Sequence, residues 1–136
     1  MQAVANQIDS RVARKEEFEE QLNKAEEVAT IYLKRQGIEV LEKDWRSGSG
    51  QADLIYKEDN ELVFADVRAS TTGELPEETN EEIRAGRKAA EKLVIDYLST
   101  HNYESCRIRF DIIAVGLLGK SKAFLRHHRD AYSAGD

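Results

Sequence analysis

The fold is decided by residues 50–69, which read GQADLIYKEDNELVFADVRA. Residues 51–56 and 62–69 are two apolar runs typical of β-strands, and a short polar stretch separates them. Such a connection joins neighbouring antiparallel strands. We therefore predict a hairpin, and a loop centred between Asp59 and Asn60 pairs residues whose numbers sum to 119.

This register places two acids and a base on one face of the sheet. Asp53 lies opposite Asp66, and Gln51 lies opposite Arg68. Opposed residues share a face, and like charges that face each other destabilise a sheet. A bound divalent cation would remove that penalty, since carboxylate oxygens are the ligands that Mg²⁺ prefers. The register therefore predicts a metal site, and a slip of one residue would abolish it.

The rest of the chain surrounds this hairpin with helices and further strands. Apolar residues at steps of three and four predict a helix over residues 15–36, followed by a first strand through 38–45. A second long helix is predicted over residues 76–100, because a proline followed by acidic residues suits a helix start. Residues 107–117 are apolar, as expected of a buried strand, and residues 122–126 form an edge strand. A long helix between two strands indicates a parallel crossover, so the fold class is α/β with a mixed sheet.

The first helix adds a third acidic side chain. Its apolar stripe consists of Phe18, Leu22, Ala25, Ala29, Tyr32 and Leu33. Glu26 follows Leu22 by four residues and precedes Ala29 by three, so it lies at the edge of this stripe and not on the solvated side. An acid packed against a sheet is costly unless it is paired or bound to a metal. Glu26 is therefore either a metal ligand or a helix-edge acid paired to a lysine.

Composition bounds the class of protein. The chain has 136 residues, of which 40% are apolar and 34% are charged, as expected of one globular domain. The single cysteine, Cys106, forms no internal disulfide, which favours a reducing, cytoplasmic location. No apolar run approaches the ~18 residues of a membrane span, so we expect no membrane partner.

The domain boundaries and the net charge complete this outline. We predict a flexible N-terminal lead-in over residues 1–14, a single α/β domain over 15–132 and a C-terminal tail over 133–136. The formal net charge of −6 argues against tight, non-specific binding of nucleic acid, which relies on positive charge. It leaves room for a site that recruits metal ions.

Six short sequence blocks carry a family resemblance. They are residues 50–55 (GQADLI), 63–68 (VFADVR), 44–46 (DWR), 25–29 (AEEVA), 109–111 (RFD) and 131–132 (AY). In this order they resemble the blocks G-E-x-D-L-I, V-F-x-E-V-K, N-x-R, G-E-x-x-A, R-F-D and A-F of the bacterial YraN family. That family belongs to the PD-(D/E)xK restriction-endonuclease-like superfamily. The resemblance covers about residues 23–132, and the order and spacing of the blocks make it specific.

The resemblance implies a restriction-endonuclease-like core with the order αβββαβ. It also implies an Mg²⁺-dependent endonuclease that hydrolyses phosphodiester bonds in DNA, including branched or damaged DNA. Carried over to this sequence, Asp53 and Asp66 would be ligands of Mg²⁺ or Mn²⁺, and Glu26 would assist the metal. Arg68 would take the place of the motif lysine, with Gln51 at the margin of the site.

Three departures from the family pattern keep other functions open. Asp66 and Gln51 stand where the family has Glu, and Arg68 stands where it has Lys. Arginine binds phosphate but is not a realistic base, and Arg68 is equally suited to a structural ion pair with Asp53 or Asp66. The alternatives are a catalytically weak or inactive nucleic-acid-binding relative and a protein-interaction domain on the same fold.

Basic side chains supply the candidate contacts to nucleic acid. Arg46 and Gln51 lie beside the proposed site, and Arg84, Arg87 and Lys88 cluster on the second long helix. The alternative for the helix cluster is the solvated face of an amphipathic helix. The superfamily resemblance also implies a homodimer as an assembly state to test.

Overall fold

The structure is a computed structural model that describes residues 2–70, 74–103, 105–119 and 121–132, with side chains from residue 16 onward. Its elements are α1 (Gln2–Arg35), β1 (Glu39–Ser47), β2 (Gly50–Glu58), β3 (Glu61–Ser70), α2 (Asn80–Leu98), β4 (Arg107–Leu118) and β5 (Lys122–His128). Within the described residues, the five strands form one sheet in the order β1-β2-β3-β4-β5. Strands β3 and β4 are parallel, and the other neighbours are antiparallel. The predicted α/β class, the parallel crossover and the edge strand β5 are confirmed, and the predicted tail (133–136) lies outside the described residues.

Helices α1 and α2 cover opposite faces of the sheet. On one face, α1 contributes Ala25 and Ala29 to a core that includes the inward side chains of the central strands. On the other face, α2 contributes Leu93 and Tyr97 to a second core. Because alanine side chains are short, α1 approaches the sheet closely. This approach carries Glu26, the residue after Ala25, to the strands.

The end of α1 lies where the sequence predicts it. Gly37 has a φ of 77°, which favours glycine. Its N–H donates to the carbonyl of Lys34 at 3.0 Å, and the N–H of Ile38 donates to the carbonyl of Leu33 at 2.9 Å. These two bonds form a Schellman motif. Ile38 and Leu33 then join the same core, so the motif fixes the direction in which β1 leaves the helix.

The start of α1 differs from the prediction. The helix begins at Gln2, so the predicted lead-in, residues 1–14, is helical from Gln2 onward. Phe18, which the periodicity assigned to the apolar stripe, is 62% exposed. The helix is longer than the sheet it packs on, and its buried positions begin at Ala25. Although α1 is long, no helix in the described part of the chain is apolar enough to cross a membrane.

Helix α2 also starts later than predicted. It begins at Asn80 and not at Pro76, and it ends at Leu98. The side-chain oxygen of Thr79 accepts a hydrogen bond from the backbone N–H of Glu82 at 3.1 Å. Thr79 therefore satisfies a free donor of the first turn, which the side chain of Pro76 cannot do. This cap decides the boundary.

The β2–β3 hairpin has the predicted register over most of its length. Pairing runs from Glu58–Glu61 to Leu54–Ala65, and the numbers of each pair sum to 119 as expected. Both predicted strands and the predicted turn are therefore confirmed.

The predicted register ends before it reaches the acids. Ala52 and Ile55 pack in the same core beneath α2, so β2 loses its strict alternation between them. Instead of facing Asp66, the carboxylate of Asp53 accepts a hydrogen bond from the backbone N–H of Val67 at 2.8 Å. The predicted direct opposition of Asp53 and Asp66 is not formed.

A buried polar network joins β2, β4 and β5. Asp111, on β4, accepts hydrogen bonds from the Tyr56 hydroxyl at 2.6 Å and from Arg109 Nε at 2.9 Å. His127 Nε2 lies 2.7 Å from the same carboxylate. Arg109 reaches on to Glu58 at 2.6 Å. The R-F-D block thus supplies the buried ion pair of Arg109 with Asp111, which connects β4 to β2 and β5 through hydrogen bonds.

Candidate functional site

Three carboxylates from three elements converge on the β1–β2 side of the sheet. Glu26 lies on α1, Asp44 on β1 and Asp53 on β2, and one carboxylate oxygen of each lies within 4.8 Å of the other two. The β1–β2 register places Asp44 across from Asp53. Asp44 has a φ of 49°, a conformation that aspartate tolerates better than most residues. We refer to these three residues as the carboxylate cluster.

Hydrogen bonds orient the two aspartates of the cluster. The bond from the N–H of Val67 holds Asp53 Oδ2. Gln51 Nε2 donates to Asp44 Oδ1 at 3.2 Å and to Asp53 Oδ1 at 3.3 Å. The β2–β3 pairing ends at Leu54–Ala65, so the predicted pair of Gln51 with Arg68 is not formed. The neutral amide of Gln51 bridges both acids without cancelling their charge.

Two members of the carboxylate cluster, Glu26 and Asp53, hold protons more tightly than isolated acids do. Burial, together with the charges of Asp44 and Asp53, raises the pKa of Glu26 from 4.5 to about 7. Burial also raises the pKa of Asp53 from 3.8 to about 6, against the hydrogen bond from Val67, and the charge of Asp66 adds to the increase. Acids that share one site disfavour each other's ionisation. A bound cation would relieve this repulsion.

We expect the metal-free protein to lose stability as the pH rises from about 4.5 to about 7. Glu26 and Asp53 bind protons more tightly in the folded chain, so the folded state holds more protons in this window and stability falls with increasing pH. Urea unfolding in chelator at both ends of the window should show a loss of about 1–2 kcal/mol after solvent screening. Glu26→Gln should make this dependence less steep and leave only the part due to Asp53. An equally steep loss in that variant would contradict the assignment.

Asp66 lies apart from the carboxylate cluster, on the α2 side of the sheet. It lines a cavity of about 180 Å³ between α2 and the strands. The Tyr132 hydroxyl donates to Asp66 Oδ2 at 3.2 Å, and burial raises the pKa of Asp66. A Cβ atom at Gly86 would lie 3.0 Å from the Tyr132 ring, so glycine leaves room for this tyrosine. The charge of Asp66 raises the pKa of Asp53, but the Asp66 carboxylate is not a member of the cluster.

Arg68 forms an ion pair that the sequence did not predict. Arg68 Nη1 donates to Glu78 Oε1 at 2.6 Å. Burial disfavours the charged guanidinium, but Glu78 outweighs this effect and raises the pKa of Arg68. The ion-pair alternative named Asp53 or Asp66 as partner, and the partner at hydrogen-bond distance is Glu78.

The other predicted contacts to nucleic acid lie on the surface. Arg46, Arg84 and Lys88 are exposed, and Arg87 is partly buried. The residues of α2 that line the cavity beside Asp66 are Gly86, Ala89, Ala90 and Leu93. The helix cluster is therefore not on the cavity side of α2, and its contact with nucleic acid stays a prediction.

Sequence matches give the family of this chain. Residues 25–115 match the sequence model of "Uncharacterised protein family UPF0102". The chain belongs to the UPF0102 family. A UPF0102 protein of Frankia casuarinae is 31% identical over 109 residues, which are 79% of this chain and 91% of that protein. A UPF0102 protein of Parafrankia sp. (strain EAN1pec) is 28% identical with the same coverage. A UPF0102 protein of Vibrio vulnificus is 33% identical over 98 residues, which are 68% of this chain and 78% of that protein.

UPF0102 is the YraN-like, restriction-endonuclease-like family, so the resemblance is confirmed at the level of family and fold. In this UPF0102 chain, sequence reasoning missed the roles of Asp44, Glu78 and Tyr132. Asp44 had a usable signal, because a turn centred on Gly48 and Ser49 places it across from Asp53. Glu78 and Tyr132 had none, since they meet β3 only through tertiary packing.

Proposed function

We propose that this UPF0102 chain is a nuclease that hydrolyses phosphodiester bonds in DNA with the aid of Mg²⁺ or Mn²⁺, branched or damaged DNA included. The observation that carries the proposal is the convergence of Glu26, Asp44 and Asp53 within 4.8 Å. Glu26 and Asp53 have raised pKa values beside Asp44, and a divalent cation would stabilise such a group of acids on a restriction-endonuclease-like core.

The chemistry of the donor set fits such an ion. Mg²⁺ is bound by oxygen at about 2.1 Å, so oxygens on opposite sides of the ion lie about 4.2 Å apart. The cluster spans no more than 4.8 Å, and small side-chain movements would close it around the ion. Gln51 orients Asp44 and Asp53 for this role. The resemblance also implies Asp66 as a ligand, but Asp66 lies on the α2 side of the sheet beside Tyr132. A ligand set of Asp53 and Asp66 is therefore the alternative that substitution of Asp66 tests.

Two arginine side chains, Arg68 and Arg46, would bind the phosphates of the substrate. A bound metal ion would lower the pKa of a water molecule and neutralise charge on the phosphate. Arg68 would bind phosphate oxygens with its planar guanidinium and would not act as a base. Arg46 is exposed on the strand that carries Asp44, where it would hold a neighbouring phosphate.

We expect the purified chain to cleave a branched or single-stranded DNA in Mg²⁺ or Mn²⁺, and Asp53→Asn to reduce the rate by at least about 100-fold. Asparagine keeps an oxygen for the N–H of Val67, so the fold is retained while a charged ligand is lost. Asp59→Asn, in the exposed β2–β3 turn, is the matched control. Gel analysis of labelled DNA measures the rate. Equal cleavage by Asp53→Asn, or none by the wild type, would contradict the proposal.

A second candidate is a nucleic-acid-binding relative without turnover. The pairing of Arg68 with Glu78 favours it, because the residue at the lysine position is engaged by protein. DNA binding without cleavage would identify this function, and no DNA binding at low salt would favour a protein-interaction domain. The homodimer is tested by sedimentation of the purified chain, and the cytoplasmic location by cell fractionation.

A further inference from the structure

The guanidinium of Arg68 is occupied by a carboxylate from the segment that precedes α2. We refer to this segment, residues 74–79, as the strap. Glu78 Oε1 of the strap lies 2.6 Å from Arg68 Nη1. The side chain of Glu78 is 20% exposed and that of Arg68 is 32% exposed. At the other end of the strap, Glu74 lies 2.7 Å from Arg126 of β5. Two ion pairs therefore tie the strap to β3 and β5.

The strap leaves a poorly filled space beneath it. A cavity of about 310 Å³ is lined by Leu75 and Pro76 of the strap and by His128 of β5. His128 Nε2 is buried and has no hydrogen-bond partner among the residues that the structure describes. A buried polar atom without a partner is unfavourable compared with a hydrated one. His128 Nε2 thus gains nothing from the closed position, whereas the ion pair of Glu78 with Arg68 favours it.

We propose that Glu78 occupies the phosphate-binding position of Arg68 in the free protein, and that DNA displaces the strap to reach it. This inference rests on the proposed function. Carboxylate and phosphate both present paired oxygens to the planar guanidinium, so the two compete for the same donors. The apparent affinity for DNA is then the intrinsic affinity multiplied by the fraction of molecules whose strap is open. The strap regulates access to the site from within the chain.

Removing the charge of Glu78 tests this inference. We expect Glu78→Gln to tighten binding of a labelled DNA junction, measured by fluorescence anisotropy in chelator, roughly fivefold more than Glu77→Gln does. Glu77 is an exposed neighbour, and its substitution changes the net charge by the same amount. In an Arg68→Ala background, the difference between the two glutamine variants should disappear, because Glu78 acts through Arg68. Circular dichroism confirms that each variant is folded.

Each other result overturns the strap inference. Equal affinities of Glu78→Gln and Glu77→Gln would show no competition, and weaker binding by Glu78→Gln would mean that Glu78 positions Arg68. A difference that persists in the Arg68→Ala background would show that Glu78 acts elsewhere. Metal-dependent cleavage by the wild type together with equal affinities would overturn the strap inference and leave the proposed function standing. No DNA binding by any variant, with no cleavage, would overturn both.

Discussion

Asp111→Asn is expected to lower the free energy of unfolding by about 3–5 kcal/mol, a large fraction of the stability of a small domain. Asp111 is 1% exposed and receives hydrogen bonds from Tyr56 and Arg109. Burial alone would raise the pKa of Asp111, yet the bonds from His127, Arg109 and Tyr56 lower it below its usual range. The charged form is therefore the one that the fold requires. Asparagine would turn an amide N–H toward donors and leave Arg109 with less counter-charge.

Urea unfolding, followed by the fluorescence of Trp45, measures this loss. Asp59→Asn is a matched control, since it makes the same chemical change at an exposed turn residue. Asp59 has a φ of 53°, which asparagine also tolerates, so its effect should stay within about 0.5 kcal/mol. A loss for Asp111→Asn no larger than that of the control would show that the network is dispensable.

Local patterns predicted the elements whose cause is local. The alternation of apolar residues and the length of one turn fixed the β2–β3 register from Glu58–Glu61 to Leu54–Ala65. Gly37 marked the end of α1, because its left-handed conformation closes a helix without strain. Pro76 and its acidic neighbours predict a helix start that is too early, because the side chain of Thr79 caps α2 at Asn80. All the information needed for that boundary lies within the segment itself.

The geometry of the acids depended on a local irregularity that alternation cannot reveal. Strand β2 places Ala52 and Ile55 on the same side, and Asp53 between them turns to the N–H of Val67. No hydrophobic pattern encodes that turn, since alanine fits either face of a sheet. The sequence therefore predicted that Asp53 and Glu26 belong to a site, and it predicted the wrong neighbour for Asp53 across the hairpin.

Two of the departures from the family pattern, at Asp44 and Gln51, compensate each other in charge. The family blocks have Asn at the position of Asp44 and Glu at the position of Gln51, and this chain has the acid and the amide exchanged. The two side chains are hydrogen-bonded at 3.2 Å. An acid–amide pair is thus retained with its members swapped across β1 and β2, and the number of carboxylates at the site is unchanged. If a metal ion binds as proposed, the replacement of Glu by Gln51 does not by itself lower the number of carboxylates available to it.

Mn²⁺ or Mg²⁺ at about 100 times its dissociation constant is expected to stabilise the wild type by about 2.7 kcal/mol, which raises its Tm by roughly 10 °C. The response should be lost in Asp44→Asn and in Asp53→Asn, because each removes a charged oxygen from the cluster. Without metal, both variants should be more stable than the wild type, since they remove a repulsive charge beside Glu26. Thermal unfolding with metal and with chelator measures both effects.

Asp66→Asn decides between two possible ligand sets. Asp66 lies in the cavity beneath α2 with Tyr132, so its substitution should leave most of the metal response intact. It is also the matched control, because it removes a half-buried carboxylate of β3 that is not a member of the cluster. A response lost in Asp66→Asn and kept in Asp44→Asn would place the ion between Asp53 and Asp66, as the family resemblance implies. A response kept in all three variants would place the ion elsewhere, and the exchanged acid–amide pair would then be a structural feature of the sheet.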